Sequence, residues 1–521
     1  VYQFLIKRVK IGFVFDEAPA CKNTALALLK KDNEKSFIND MLNHQEFENT
    51  LIIGENYDAL KNLLVIERER ERERVASDTN AFYDVIYIDP PYNTESSLSD
   101  GNSLKNGEKD GVTASKFIYR DKFSRTGWLN MMSERLRMAK NLLKEDGVIF
   151  VSIDDTEQAY LKVLMDEIFG EENFIANIVW EKKNSGSASD SKWLKVLTEY
   201  VLVYGKNINK IFLNEEEQNV DENSNYKFED KHVRERGKYC LKQLDMASLT
   251  WSSGLDYVIE HNNKKYYPGK SQENWLRRQS GKHAVKDWRW RWAASKVKWG
   301  IENDFILFKN DSVYSKQYQF VDNEGNKIVR TSKFSNLISK IHNTLGTQTQ
   351  KEIFNTKIFD HPKPTQLLKY LINLIPNKNA RVLDFFAGSG TTGHAVMELN
   401  REDGGNRTFT LVTNNENNIA YDVTYERLYR INNGKGTKEE SFKWLEKNKP
   451  YKQNLNVFNI EYFDTKLFDD NVNNELIKQT LIDELQDNGI TTFTKFEKQL
   501  YFDLMSLKPL DTDKENENGG N

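Results

Sequence analysis

The stretch Val85-Ile86-Tyr87-Ile88-Asp89-Pro90-Pro91-Tyr92 decides the fold. Four consecutive apolar residues, half of them isoleucine, read as a short buried strand, and a carboxylate followed by two prolines ends it. A strand that is apolar on both faces belongs in a parallel sheet covered by helices. The same pattern recurs around it. Upstream, Leu51-Ile52-Ile53 leads through Gly54-Glu55-Asn56 into helical spacing at Leu60, Leu63 and Leu64. Downstream, a helical pattern through Met131, Leu136, Met138, Leu142 and Leu143 leads to the run Val148-Ile149-Phe150-Val151. Strands return at Arg381-Val382-Leu383-Asp384 and Phe409-Thr410-Leu411-Val412. The alternation predicts an α/β protein with a doubly wound, mostly parallel sheet.

Between the two groups of strands the composition changes. From about residue 206 to 350 the chain is polar, aromatic and basic, with Trp251, Trp275, Trp288, Trp290, Trp292 and Trp299, and this segment is expected to be an inserted domain. The predicted organisation is an N-terminal segment 1–48, a first sheet half 49–205, the insertion 206–350, a second sheet half 351–432 and a C-terminal region 433–521 available for a partner or dimer contact. The strict Glu-Arg alternation Glu67–Arg74 is expected to be a solvated helix extension, since its opposite charges at i,i+3 and like charges at i,i+4 nearly cancel.

Composition narrows the class. A length of 521 residues allows roughly two to four domains, and a net charge of −4 argues against a protein that coats nucleic acid non-specifically. Cys21 and Cys240 form no paired or metal-binding motif, so neither disulfide nor zinc is expected. No apolar stretch reaches the roughly 18 residues of a membrane helix, and the first residues lack an export pattern. A reduced, cytoplasmic protein without a membrane contact is expected.

The Asp-Pro-Pro-Tyr turn sits where open α/β sheets bind ligands, beyond the carboxyl end of a strand. One reading is an ordinary turn. The other is chemical: an exocyclic amine on a base is a poor nucleophile because its lone pair is delocalised, and the Asp89 carboxylate with the Pro90 carbonyl supplies two acceptors for its hydrogens. Pro90 and Pro91 stiffen that backbone. Tyr92 offers a face on which an extruded base can stack, worth roughly 1–3 kcal/mol. The second turn, Asp384-Phe385-Phe386-Ala387-Gly388-Ser389-Gly390-Thr391-Thr392, also follows a strand and precedes a helix, so its glycines allow a ligand to approach the backbone. It lacks the lysine of a phosphate-binding loop and the full dinucleotide fingerprint. His394 reads as a packed residue, and Asp154-Asp155 reads equally as pocket lining or as a helix cap.

Together the turns, in the order Asp-Pro-Pro-Tyr, aromatic insertion, Phe386-x-Gly388-x-Gly390, resemble the β group of DNA amino-methyltransferases. Further stretches, among them Gly54-Glu55-Asn56-Tyr57-Asp58-Ala59-Leu60, Gly346-Thr347-Gln348-Thr349-Gln350, His361-Pro362-Lys363-Pro364 and Thr424-Tyr425-Glu426-Arg427, resemble modification subunits of type III restriction-modification systems. The resemblance implies a circularly permuted methyltransferase sheet with an inserted target-recognition domain. It implies S-adenosylmethionine as cofactor and adenine N6 as the methylated atom.

Under that resemblance Asp89, Pro90, Pro91 and Tyr92 carry catalysis. Glu55 and Asn56 face the adenine of the cofactor. His361 and Lys363, with Asp384, Phe386, Gly388, Gly390 and Thr391, flank its methionine part. Asn415 or Thr413 takes the place of the usual ribose carboxylate, because the strand ends Thr413-Asn414-Asn415-Glu416. Arg277, Arg278, Arg289 and Arg291 are expected to meet DNA, with about half of the neighbouring tryptophans in the core. Double-stranded DNA, a second copy of the chain and a separate ATP-dependent restriction subunit are the implied partners. The rival readings are cytosine-N4 methylation, disfavoured by Asp rather than Ser at position 89, and a catalytically silent specificity subunit for a partner nuclease.

Overall fold

A computed structural model describes residues 25–39, 48–73, 82–93, 125–184, 194–217, 224–464, 474–490, 500 and 503–506. The chain divides into two compact units, one built from Val1–Asn214 and Ser335–Asn521, the other from Glu215–Phe334.

The larger unit is organised by one ten-stranded sheet. Its strands, in chain order, are β1 (Ala25–Lys31), β2 (Thr50–Ile53), β3 (Tyr83–Ile88), β4 (Leu143–Ile153), β5 (Phe174–Glu181), β6 (Thr198–Gly205), β7 (Leu337–Ile338), β8 (Arg381–Asp384), β9 (Thr408–Thr413) and β10 (Asn456–Asp464). They lie in the order β1-β10-β2-β9-β8-β3-β4-β6-β5-β7. From β10 to β4 all neighbours are parallel, and the antiparallel pairs fall outside that centre. The sheet is thus the doubly wound α/β type that the alternation of strands and helices predicts.

Side-chain alternation explains the two covered faces. Leu383, Val412, Ile86, Ile88, Ile149 and Val151 join one core with residues of α1 (Asn56–Glu73), α2 (Arg125–Leu142) and α3 (Gln158–Phe169). The intervening residues face the other way: Gly393 of α6 (Thr391–Asp403) packs on Phe409 and Leu411 of β9 and on Leu428 of α7 (Glu426–Asn433). Two further helices, α4 (Asn343–Phe354) and α5 (Thr365–Asn373), precede β8 in the chain. Each fully buried aliphatic side chain contributes roughly 1.5–3 kcal/mol, so the alternation holds the register.

The topology fixes where a ligand can bind. β8 and β3 are neighbours, with Val382 opposite Val85 and Leu383 opposite Ile86. From β8 the chain proceeds through α6 to β9 on one side, and from β3 through α2 to β4 on the other. Such a reversal of strand order opens a crevice at the carboxyl ends of the two strands.

Three sequence expectations are corrected here. The C-terminal region is part of the sheet: β10 lies between β1 and β2, because Val457 and Phe458 bury their side chains, and α8 (Asn474–Asp487) packs on β1. The inserted unit is shorter than 206–350, since Leu337–Ile338 pairs with β5 and Arg430 of α7 donates to the Ile353 carbonyl of α4. The Glu-Arg run is not wholly solvated. Glu67 is buried and accepts two bonds from Arg381 at the start of β8, at 2.8 and 2.7 Å, while Arg70 binds the same carboxylate. The pair Arg72–Glu69 follows the i,i+3 spacing near the surface.

The smaller unit has a three-stranded antiparallel sheet, Ile306–Lys309, Ser312–Tyr318 and Tyr239–Gln243, and three two-stranded ribbons. Two hairpins turn through paired left-handed residues, Asn262-Asn263 and Asn310-Asp311, as two-residue turns between twisted strands require. Its core contains Leu244, Trp290, Trp292, Phe305 and Tyr318, with Trp299 packed against it.

Candidate active site

The two turns leave neighbouring strands and meet at one cleft of about 340 Å³. The Asp89 and Pro91 residues line it from the end of β3, and Phe385, Phe386 and Gly388 from the end of β8. Glu55 and Asn56 at the start of α1, and Val412, Thr413 and Asn414 at the end of β9, close another side. Trp128, Met131 and Arg135 project from α2.

The glycine turn is shaped by its backbone and by a buried carboxylate. Gly388 and Gly390 have φ of 50° and 73°, a region costly for any residue with a side chain. A Cβ on Gly388 would point toward the Phe359 ring, 3.7 Å away, and so would fill the cleft that both residues line. Asp384 ties the turn together, accepting from the Phe386 amide at 3.0 Å and from the Thr392 hydroxyl. Burial pushes its carboxyl up to about 7. Behind the turn, Arg427 donates to the Ser389 carbonyl and to the Thr391 hydroxyl, and its second nitrogen lies 3.2 Å from His394 Nδ1. Burial, followed by the Arg427 charge, holds His394 well below the usual histidine range, so it is a packed, neutral residue.

The Asp-Pro-Pro-Tyr turn is tied on every side. The Trp128 indole donates to the Pro91 carbonyl at 2.7 Å, and Asn93 donates to buried Glu157 at 2.8 Å. Tyr92 Oη lies 2.8 Å from Asp89 Oδ1 and 3.2 Å from Glu199 Oε2. Lys363 Nζ stands 2.9 Å from Asp89 Oδ1, 2.9 Å from Tyr92 Oη and 3.3 Å from Glu199 Oε2, and Lys182 holds the other Glu199 oxygen at 3.0 Å. Burial, reinforced by Asp89 and Glu199, raises the Tyr92 phenol well above its usual range. Against the cost of burial, Lys363 and Lys182 lower Glu199, and Asp89 and Glu199 raise Lys363.

Of the residues singled out from sequence, Glu55, Asn56, Asp89, Pro91, Phe386 and Gly388 line the cleft together. Pro90 is buried and Tyr92 is half-buried beside them. Asp384, Gly390 and Thr391 support the turn without lining the cleft. His361 is exposed with φ of 54°, and Asn415 is outside the lining, where Thr413 and Asn414 stand instead. Lys363 does not line the cleft; its ammonium stands against Asp89, Tyr92 and Glu199. Its segment is set by α4, where the buried Gln350 amide, turned to suit, pairs with both backbone groups of Phe359 at 3.0 Å. Gly346 lies so near the Pro362 carbonyl that a Cβ would come within 2.2 Å.

Asp154 caps the turn before α3, accepting from the Thr156 amide, and Asp155 accepts from Tyr200. Sequence reasoning gave no role to Trp128, Arg135 or Glu199. Glu199 had a signal, a lone acid inside the apolar strand β6.

In the smaller unit Arg278 is buried and grips Asp256 through two bonds at 2.8 and 2.9 Å, which removes it from any DNA-facing surface. Arg277 is half-exposed and paired with Asp287, while Arg291 is exposed and Arg289 half-buried. Trp290 and Trp292 are core, Trp251 and Trp275 direct their indole nitrogens at Asp256, and Trp288 is 38% exposed.

A family model described as DNA methylase matches residues 83–433, which include both turns and the strands that carry them. The chain belongs to this DNA methylase family. Residues 1–73 match a second model, described as an uncharacterised conserved protein. The Mod subunit of the type III restriction-modification enzyme StyLTI of Salmonella typhimurium is 32% identical to the methylase over 408 residues, 75% of this chain and 57% of that subunit. The type II methyltransferase M.KpnI of Klebsiella pneumoniae is 32% identical over 366 residues, 67% of this chain and 80% of the relative. The EcoPI Mod subunit of Escherichia phage P1 is 28% identical over 421 residues, 75% and 62% of the two chains. The methylase thus spans about three-fifths of the length of these two type III subunits. Among the described residues no helix is long and apolar enough to cross a membrane, and no cluster of potential metal ligands occurs.

Proposed function

We propose that this methylase transfers a methyl group from S-adenosylmethionine to N6 of an adenine flipped out of duplex DNA, as the modification subunit of a type III restriction-modification system. The observation that carries this reading is the convergence of Asp89 and Pro91 with Phe386 and Gly388 on one cleft at the switch point of the sheet. The residues suit the cofactor: apolar walls from Phe385, Phe386 and Val412 match a purine, polar groups from Glu55, Asn56 and Asn414 match the purine amine and the ribose hydroxyls, and the space beside Gly388 is one that a Cβ would fill. When bound, the cofactor supplies a methyl on a sulfonium, which leaves readily without a metal or covalent enzyme nucleophile.

The chain's own task is then to present the amine. Pro91 already accepts from Trp128 and Asp89 Oδ1 from Lys363, whereas Asp89 Oδ2 and the Pro90 carbonyl receive no donor from the described residues. Those two acceptors hold the two amine hydrogens, which turns the nitrogen lone pair out of conjugation and toward the methyl. Positioning of this kind supplies much of the rate in reactions with a good leaving group. As the new carbon–nitrogen bond forms, the nitrogen sheds one proton, with Asp89 as the nearest acceptor; its side chain is 27% exposed, so the proton passes on to solvent. Tyr92 provides the stacking face for the extruded base.

The smaller unit supplies DNA recognition in this reading, through Arg277, Arg289 and Arg291. In this reading the chain acts in the cytoplasm as a homodimer with a separate ATP-dependent restriction subunit; the relatives' names, Mod subunits of restriction-modification enzymes, support the partner subunit. The test is incubation of the full chain with unmodified plasmid DNA and methyl-labelled S-adenosylmethionine, followed by nucleoside mass spectrometry and mapping of the modified sites. N6-methyladenine within one asymmetric motif is the expected product. N4-methylcytosine, or no label at all, contradicts the reading.

A further inference from the structure

We infer that Lys363 and Glu199 are positioning residues for the transfer, acting through Asp89 and Tyr92 rather than on the cofactor. This rests on the methylation reading above. An ammonium has three protons and no acceptor. Lys363 donates to Tyr92 Oη and stands 2.9 and 3.3 Å from Asp89 Oδ1 and Glu199 Oε2, and it does not line the cleft.

The arrangement balances charge inside a partly closed site. Lys363 and Lys182 oppose Asp89 and Glu199, and Glu199 lies between the two lysines with one oxygen on each. Removing one member leaves the others buried and uncompensated. Because Tyr92 Oη accepts from Lys363, its single proton is turned toward the carboxylates, and the phenol is pinned at its outer edge. Its ring is thereby set before a base arrives. The lock on Asp89 is one-sided. Oδ1 is engaged by both Lys363 and Tyr92, and Oδ2 is left as an acceptor with no donor among the described residues.

A site reduced to Oδ2 and the Pro90 carbonyl offers acceptors only. It welcomes an exocyclic amine and repels a base that presents a carbonyl oxygen at the same place, so Lys363 and Glu199 also enforce the choice of an amine-bearing base. If Lys363 were absent, Asp89 would be free to rotate, and misplacement by about 1 Å costs on the order of 100-fold in rate.

The experiment compares the wild-type chain with Lys363→Met and Glu199→Gln. S-adenosylmethionine binding is measured by calorimetry, melting temperature by circular dichroism, and methylation of unmodified genomic DNA under saturating cofactor and DNA. Lys363→Met is expected to lower kcat on the order of 100-fold with a cofactor Kd changed by less than about three-fold. Glu199→Gln, which keeps the side-chain volume, should lower kcat by about ten-fold and should add little to the loss in the double variant. A Kd raised more than about ten-fold with kcat retained would make Lys363 a cofactor ligand and overturn the inference. Wild-type kcat in either variant overturns it as well. If Lys363→Met does not fold, Glu199→Gln decides alone. A wild-type chain that binds cofactor but methylates no base overturns the methylation reading, and this inference with it.

Discussion

The Trp128 indole nitrogen donates to the Pro91 carbonyl at 2.7 Å, so a helix side chain occupies the carbonyl of the second proline, while the proposed mechanism uses that of the first. Trp128→Phe keeps the ring and removes the donor. The unsatisfied carbonyl should cost about 1–3 kcal/mol of stability. Because Pro91 lines the cleft, kcat should also fall while cofactor affinity holds. Urea denaturation and steady-state methylation read the two effects; unchanged values in both would assign the bond no role.

Glu67 is buried between Arg381 and Arg70, and although burial opposes it, the Arg381 charge foremost holds its carboxyl below the usual range. A lowered folded value means stability that is present above the unfolded value of about 4.3 and lost as pH falls through the folded one. Glu67→Gln should cost about 3 kcal/mol at neutral pH. Its stability should also fall less steeply than wild type below about pH 4. Parallel acid-unfolding curves for the two chains would contradict this.

Asp384 behaves in the opposite sense. With a folded value of about 7 against an unfolded value of about 3.9, its contribution is complete below about pH 4 and is lost as pH rises from there to about 7. Asp384→Asn removes the titration, so the variant should gain on wild type between pH 5.5 and pH 8 by about 2 kcal/mol. Denaturant midpoints at the two pH values measure it. A variant that loses ground at pH 8 would show that the carboxylate is held charged.

How much of this was legible in sequence follows from how local each feature is. The turns at Asp89 and Gly388 sit between short apolar runs and carry their own punctuation, so position and chemistry could be read together. The joining of Ala25–Lys31 to Asn456–Asp464 could not, because pairing between the chain's two ends leaves no local pattern. Lys363 meets Asp89 only once α4 and its Gln350 have placed the intervening segment. Charges also misled where they turn inward. Glu67 looked like one of a solvated series, and Arg278 like one of a basic stretch, yet each is buried against a partner remote in sequence.

The two classes of arginine in the smaller unit should separate in experiment. Arg278→Ala strands Asp256 in the core and should cost about 3–5 kcal/mol, seen as a lower melting temperature. Arg291→Ala should leave melting unchanged and weaken DNA binding with a shallower dependence on salt, by roughly one unit of slope. An unaltered salt slope for Arg291→Ala would remove that residue from the DNA interface.

The central claim is that Asp89 presents an adenine amine to the methyl donor, and nucleoside mass spectrometry of DNA treated with wild type and Asp89→Ala tests it most directly. The account predicts N6-methyladenine from the wild type and none from Asp89→Ala, with cofactor binding retained in both. Undiminished methyladenine from Asp89→Ala, or N4-methylcytosine from the wild type, would contradict it.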